Sequence, residues 1–271
     1  MEIVGYPLFS LANIADRVVN RRFPAPGKIH ANIKIFVFQH FETKLPECFD
    51  DRSIYVPIHA GSSMSDIDIP DALRDDTMPS ISEFNIYLNE MTAIYWVGKH
   101  IAEIGNPDYI GFAHYRRCLD WTPRLLKPGI VFASRFVSCA TNRRFFTDCH
   151  SSEWLDLFLS RFRELSDEYG DVEAFWRTHS MYIANNFITD RDTFLRYFAF
   201  VEQCLEICIA ILKDNKQAFQ AMSASGRRQF SFIMERMTAY WIWHEKKNRR
   251  INVVSSRLKC YDIDNNLTSV R

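Results

Sequence analysis

Apolar positions along the 271-residue chain alternate between short runs suited to buried strands and stretches with the three-to-four spacing of amphipathic helices. Ile33–Gln39, rich in β-branched and aromatic residues and ending at His40, predicts a first strand. A second, Ile54–Ile58, leads into His59-Ala60-Gly61-Ser62-Ser63, small residues that let a ligand approach the backbone. Ser80 to Glu83 read as a helix start, and the helix from Phe84 to Ile104 sets Leu88, Met91, Thr92, Tyr95 and Trp96 near one apolar face, assigned to core. A third strand enters at Pro107 and runs into His114-Tyr115-Arg116-Arg117, and Ile130–Ala133 predicts another short one. The polar stretch from Asn142 to Ser152 has no clear pattern. Helical spacing resumes at Trp154, Leu157, Phe158 and Phe162. Met181–Ala184 is an apolar segment that meets Asn185-Asn186-Phe187-Ile188, and Asp190 opens a long helix through Leu212. A last helix spans Arg227 to Glu245, Ile251–Val254 reads as a closing strand, and the tail after Asp262 is expected to be loose.

Strands alternating with helices predict an α/β fold. Residues 1–31 carry Leu8, Phe9, Leu11, Ile14, Val18 and Val19 on one helical face, with Arg17, Arg21 and Arg22 at its far end and Pro24, Pro26 and Gly27 as a break. This reads as an N-terminal helical extension and linker that docks on the body or on a partner subunit in a homo-oligomer, with peripheral contact at the inner membrane as the second use. The expected division is therefore 1–31 extension, 32–262 domain and 263–271 flexible tail.

Composition narrows the class. With 47% hydrophobic residues and mean hydropathy −0.20, the chain has material for one large core. Its 33 basic and 33 acidic residues balance, so no bulk field attracts nucleic acid, and anion recognition must be local. No run approaches the length needed to span a bilayer and the opening residues lack a secretory pattern, which favours the cytoplasm. Seven cysteines with no CxxC pair indicate neither a disulfide framework nor a zinc knuckle, and Cys204 and Cys208, four apart on an apolar helix, read as core thiols.

The candidate chemistry centres on His114-Tyr115-Arg116-Arg117. Polar groups delivered past the end of a buried strand lie where α/β proteins bind ligands, and paired guanidinium groups suit phosphate. The alternative is that both arginines are solvated or paired with nearby acids. Asn185 and Asn186, just past an apolar run, offer donors and acceptors to sugar hydroxyls, though both are also ordinary turn residues.

These landmarks, in order, are Arg74-Asp75-Asp76-Thr77, Ile81-Ser82-Glu83, Glu90-Met91-Thr92-Ala93-Ile94-Tyr95-Trp96, and Tyr109 to Arg117, followed by Asn185-Asn186-Phe187-Ile188 and Phe232-Ile233-Met234-Glu235-Arg236-Met237. Over roughly residues 32 to 255 the chain resembles a bacterial family of capsular and exopolysaccharide glycosyltransferases formerly filed as a domain of unknown function. It departs from that family where Met78-Pro79-Ser80 stands for Gly-Asp-Asn and Cys118-Leu119 for an aromatic pair, changes that bear on donor and acceptor choice.

The resemblance implies a GT-A-like, Rossmann-type single domain with a mixed central sheet and a helical C-terminal part. It implies a transferase that moves sugar from a nucleoside-diphosphate donor, a UDP-sugar first, to a glycan or lipid-linked acceptor. On that reading Arg116, Arg117 and Arg74, with His114 and Tyr115, face the diphosphate, and Asn185, Asn186, His59 and Glu90 face sugar or acceptor. Glu235 on its apolar helix is the first candidate base, with Asp75 and Asp76 next. The competing readings are an ion pair of Glu235 with Arg236 or Arg74, and turn capping by Asp75 and Asp76. Mg²⁺ or Mn²⁺ held by His114 with Asp75 or Asp76 is the alternative carrier of diphosphate charge. A non-catalytic sugar- or nucleotide-binding protein on the same fold is the alternative function, and a phosphate-loop hydrolase or kinase is disfavoured because no G-x-x-x-x-G-K motif is present.

Overall fold

The computed structural model describes residues 31–262 and 264–270. The expected extension over residues 1–30 lies outside the described residues. Strands β1 (Ile33–Gln39), β2 (Tyr55–His59), β3 (Leu73–Arg74) and β4 (Tyr109–His114) run parallel in the order β3-β2-β1-β4. The sheet grows from β1 to one side through β2 and β3, then restarts on its other side with β4. Such a reversal leaves a crevice beyond the carboxyl ends of β1 and β4, where His40 and His114 stand.

β1 reads as nearly unbroken apolar sequence because both of its faces are covered. Phe36 and Phe38 enter the larger core, and Ile33, Ile35 and Val37 enter a second cluster on the opposite face. In register, Phe36 lies opposite Phe112 and Phe38 opposite His114, so the last residues of two neighbouring strands reach the same level.

The far edge of β4 is shared. From Tyr109 to Phe112 it pairs antiparallel with β7 (Ser180–Asp190), whereas His114 pairs with Arg117 of β5 (Arg117–Leu119). Beyond β7 lie β6 (Ile130–Val137) and β8 (Asn252–Ser255), and beyond β5 lie β9 (Leu258–Tyr261) and β10 (Leu267–Val270). The mixed sheet therefore forks at the end of β4.

Several boundaries differ from the sequence reading. The helix expected from Phe84 to Ile104 breaks at Asn89, whose φ of 47° is left-handed, into α1 (Asn85–Leu88) and α2 (Met91–Lys99). The polar stretch after residue 141 contains α3 (Asn142–Thr147), started by the Thr141 side chain accepting from Arg144 N–H. The apolar segment at 181–184 and the two asparagines belong to one continuous strand, β7. The tail expected to be loose carries β10, which pairs antiparallel with β9.

The larger core is built by α4 (Ser152–Phe162), α5 (Val172–Trp176), α6 (Arg191–Asp214) and α7 (Gln229–Lys247) against one face of the sheet. Asp190 caps α6 by accepting from Thr193 N–H at 3.0 Å, and Phe194, Tyr197, Phe198, Val201, Cys204, Leu205 and Cys208 form its buried stripe. The core assignment of both cysteines and of Trp96 agrees with this packing, while Tyr95 lies partly buried against it. Among the described residues no helix is long and apolar enough to cross a membrane.

Helix α2 approaches α6 closely because Gly98 has no side chain, and a Cβ there would overlap the Phe198 ring. Gly98→Ala is expected to destabilise the protein by about 1–3 kcal/mol through overpacking. The check is a lower urea midpoint at unchanged denaturant slope.

Candidate active site

The tetrad His114-Tyr115-Arg116-Arg117 is a tight reversal rather than an extended strand end. His114 pairs with Arg117 across the antiparallel step from β4 to β5, leaving Tyr115 and Arg116 at the tip. Tyr115 is buried, packs edge-on against Phe41 at 5.3 Å, and carries the Arg116 guanidinium 5.0 Å above its ring centre. The expected diphosphate role of Tyr115 becomes one of support, because its ring lies beneath Arg116. Arg116 and Arg117 are half-buried, and among the described residues neither forms an ion pair.

The turn is fixed by Asn186. At the fork, where β7 leaves β4 and β5 takes its place, the Asn186 amide substitutes for missing backbone partners. Its Oδ1 accepts from His114 N–H at 3.2 Å and its Nδ2 donates to Arg117 C=O at 3.1 Å. Asn186 is 2% exposed, so the expected contact with sugar gives way to a structural use of both ends of the amide.

Electrostatics at the tip are one-sided. Burial, followed by the positive charge of Arg117, the neighbouring His40, Arg116 and Arg228, pushes the His114 pKa down to about 2. The imidazole is therefore neutral at ordinary pH. Its Nδ1 accepts from Arg116 N–H at 3.3 Å, which places the remaining ring proton on Nε2 as a donor. Arg228, at the entry to α7 and stacked over Phe232 at 5.5 Å, joins this group although no local sequence pattern singled it out. Only the approach of α7 to the sheet brings it there.

Asn185, next to the stapled Asn186, has φ of 49° and is 3% exposed. Its Nδ2 donates to Glu90 Oε1 at 3.5 Å, while its Oδ1 is buried without a partner. Glu90, half-buried, stands one residue ahead of α2. The adjacent Asn89 ties that junction to α7 by donating to Ser231 Oγ at 2.6 Å. Asn185 and Glu90 thus come together from positions 95 apart in the chain.

Other candidates lie elsewhere. Asp75 is 0% exposed and accepts from Gly61 N–H (2.9 Å), Ser62 N–H (2.9 Å) and Oγ (3.0 Å), Ser82 Oγ (2.6 Å) and Thr92 Oγ1 (2.7 Å). With its oxygens so occupied it is a folding hub, which removes it as a base or metal ligand. The Gly61 loop, expected to admit a ligand, is filled by Asn85, whose side chain occupies the space a Cβ would take. Arg74 is spent on Asp76, with Nη2 and Oδ2 2.6 Å apart, and on Ser62 C=O at 3.0 Å. The hydrogen bond from Arg74 holds the Asp76 carboxyl below the usual carboxylate range. Arg74 and Asp76 therefore neutralise each other. His59, the last residue of β2, is 1% exposed, with burial lowering its pKa. Glu235 accepts from Arg236 Nη1 at 2.6 Å, the ion-pair alternative for that residue. Among the described residues no three His, Cys, Asp or Glu side chains gather around a metal position, so His114, Asp75 and Asp76 form no ligand set.

The reversal at β1, the forked mixed sheet and the helical cover define an α/β protein with a mixed central sheet. The chain is similar to the apo structure of WbbM, a bifunctional glycosyltransferase, at 21% identity and a TM-score of 0.67, over 84% of this chain and 45% of that one. It thus spans about half the length of that structure, and the likeness is one of fold. The model of a domain of unknown function, DUF4422, matches residues 34–128 and 124–247, and the chain belongs to that family. A comparison with curated proteins finds no match.

Asp75→Asn, which turns one acceptor toward hydroxyl and amide donors, is expected to lower stability by about 3 kcal/mol, measured by chemical denaturation. For His114 the folded pKa of about 2 lies below its ordinary 6.5, so between those values the unfolded chain holds a proton that the folded chain lacks. This residue therefore contributes to a loss of stability as pH falls below 6.5, with the full stability present above it. His114→Gln is expected to flatten that acid limb in denaturation curves recorded across pH.

Proposed function

We propose that the chain is a glycosyltransferase acting in bacterial surface-polysaccharide synthesis at the cytoplasmic side. It moves a sugar from a nucleoside-diphosphate donor, a UDP-sugar first, to a glycan or lipid-linked acceptor. The observation that carries this reading is the pair Arg116 and Arg117, set at the crevice beyond β1 and β4 with no acidic partner among the described residues. Guanidinium groups that are already neutralised, such as Arg74, offer a diphosphate little, whereas these two concentrate positive charge on one turn.

Glycosyl transfer requires stabilisation of negative charge as the sugar–phosphate bond breaks. Arg116 and Arg117 supply it with fixed charge, Arg228 adds to it from the start of α7, and neutral His114 contributes an Nε2–H donor whose state does not change near neutral pH. Stacking on Tyr115 and the Asn186 staple hold these groups in place before the donor arrives, which limits reorganisation during the step. Membership of the matched family and the fold shared with a glycosyltransferase support the same reading.

Arg116→Ala and Arg117→Ala are each expected to weaken UDP binding about 10- to 100-fold, as for a lost charge-assisted hydrogen bond, with folding intact. Calorimetric titration with UDP, beside uridine as a control lacking phosphate, measures this. Unchanged UDP affinity in the double variant removes the donor assignment. Donor hydrolysis is expected to persist after exhaustive chelation, because the guanidinium groups carry the diphosphate charge. Full loss that Mg²⁺ or Mn²⁺ restores would assign that task to a metal instead.

A further inference from the structure

Glu90 and Asn185 form a second polar centre beside the cationic turn. Among the described residues Glu90 accepts one hydrogen bond, at Oε1 from Asn185, and forms no ion pair, which leaves Oε2 open. Asn185 is held in left-handed backbone and buries an unpartnered Oδ1. A buried amide oxygen without a donor carries a desolvation cost of about 1–3 kcal/mol, which a hydroxyl donor from a ligand relieves. The chain reaches this pair from the cations through a single residue, because the neighbouring Asn186 binds both His114 and Arg117. By contrast, Glu235 already has Arg236 on its Oε2.

We infer that Glu90 is the group that receives the proton of the acceptor hydroxyl, with the Asn185 Oδ1 accepting from a neighbouring hydroxyl of the acceptor. This assignment rests on the donor reading above and adds a catalytic residue and a stereochemical course to it. The acceptor oxygen forms a bond to the anomeric carbon as the bond from that carbon to the diphosphate oxygen breaks. The bonding pair leaves with the diphosphate toward Arg116 and Arg117, and the hydroxyl proton passes to Glu90 Oε2. One displacement of this kind inverts the anomeric configuration. The proton then returns to water, and the products are the glycosylated acceptor and the nucleoside diphosphate. Asn185 keeps the Glu90 carboxylate oriented through Oε1, while its own Oδ1 takes the neighbouring hydroxyl of the acceptor.

The test uses the full chain and needs no knowledge of the natural acceptor, because water takes that place in donor hydrolysis. A panel of UDP-hexoses is screened with the wild-type protein, and the initial anomer of the released sugar is read by proton magnetic resonance. Glu90→Gln is expected to lower the hydrolysis kcat about 10²- to 10⁴-fold while the Kd for UDP stays within about twofold. The same change is expected to remove the acid limb of the kcat pH profile, an effect a packing defect does not produce. Glu90→Asp, which keeps the carboxylate, is expected to retain part of the rate and serves if the glutamine variant fails to fold. Inverted sugar with this pattern supports the assignment. Retained configuration, hydrolysis by Glu90→Gln within about threefold of wild type, or a loss of UDP affinity that parallels the loss of rate overturns it while the donor reading stands. Failure of the wild-type protein to bind UDP at all removes the donor reading itself, and this assignment with it.

Discussion

Two strands claim the same edge of β4, and the side chain of Asn186 settles the claim. β7 pairs with β4 as far as Phe112 and then diverges toward β6, while β5 folds back from the tip at Arg117. Between them the His114 N–H and the Arg117 C=O face a gap that would otherwise leave buried backbone groups unpaired. An amide is the side chain that offers an acceptor to one and a donor to the other. The geometry of the cationic turn and the position of Asn185 both follow from that substitution. The fork therefore does more than end a ladder: it sets polar residues from two branches of the sheet around one crevice.

The distribution of charge around this fork is uneven in a way that distinguishes support from site. Arg74 is matched by Asp76, and Arg236 by Glu235, with the Arg236 guanidinium also over the rings of Phe145 and Phe146. Arg116, Arg117 and Arg228 instead share the surroundings of an imidazole that stays uncharged. Like charges gathered in a half-buried place raise its energy, which a counter-charge bound there would lower. The stability supporting this arrangement is supplied on the other side of β2. There Asp75 draws the Gly61 loop, Ser82 and Thr92 onto one carboxylate and ties the β2 and β3 ends to the start of α2. The rigid network and the charged turn are thus built from different residues.

Much of the parallel sheet was legible in the chain. Ile33–Gln39 was readable as a strand because burial on both faces demands apolar residues at most positions, and the long helix after Asp190 because a capping carboxylate precedes an apolar stripe. Arg116 and Arg117 were legible as a cationic pair at a strand end because two guanidinium groups abruptly follow such a strand. The roles of Asp75 and Asn186 were not. A carboxylate beside another carboxylate, or an amide beside another amide, carries no local sign of whether its partners will be solvent, ligand or backbone.

Sequence by itself determined the alternation of strands and helices, the apolar faces and the place where cationic chemistry enters, because those depend on composition and spacing within a few residues. Only the tertiary structure decided which polar groups remain open. Asp75 is consumed by residues 13 and 17 positions away, Asn186 by His114 and Arg117 some seventy positions back, and Glu90 meets Asn185 across 95 positions. Hydrogen-bond satisfaction is a property of neighbours in space, and those neighbours are set when β7 crosses the end of β4 and α7 closes over it.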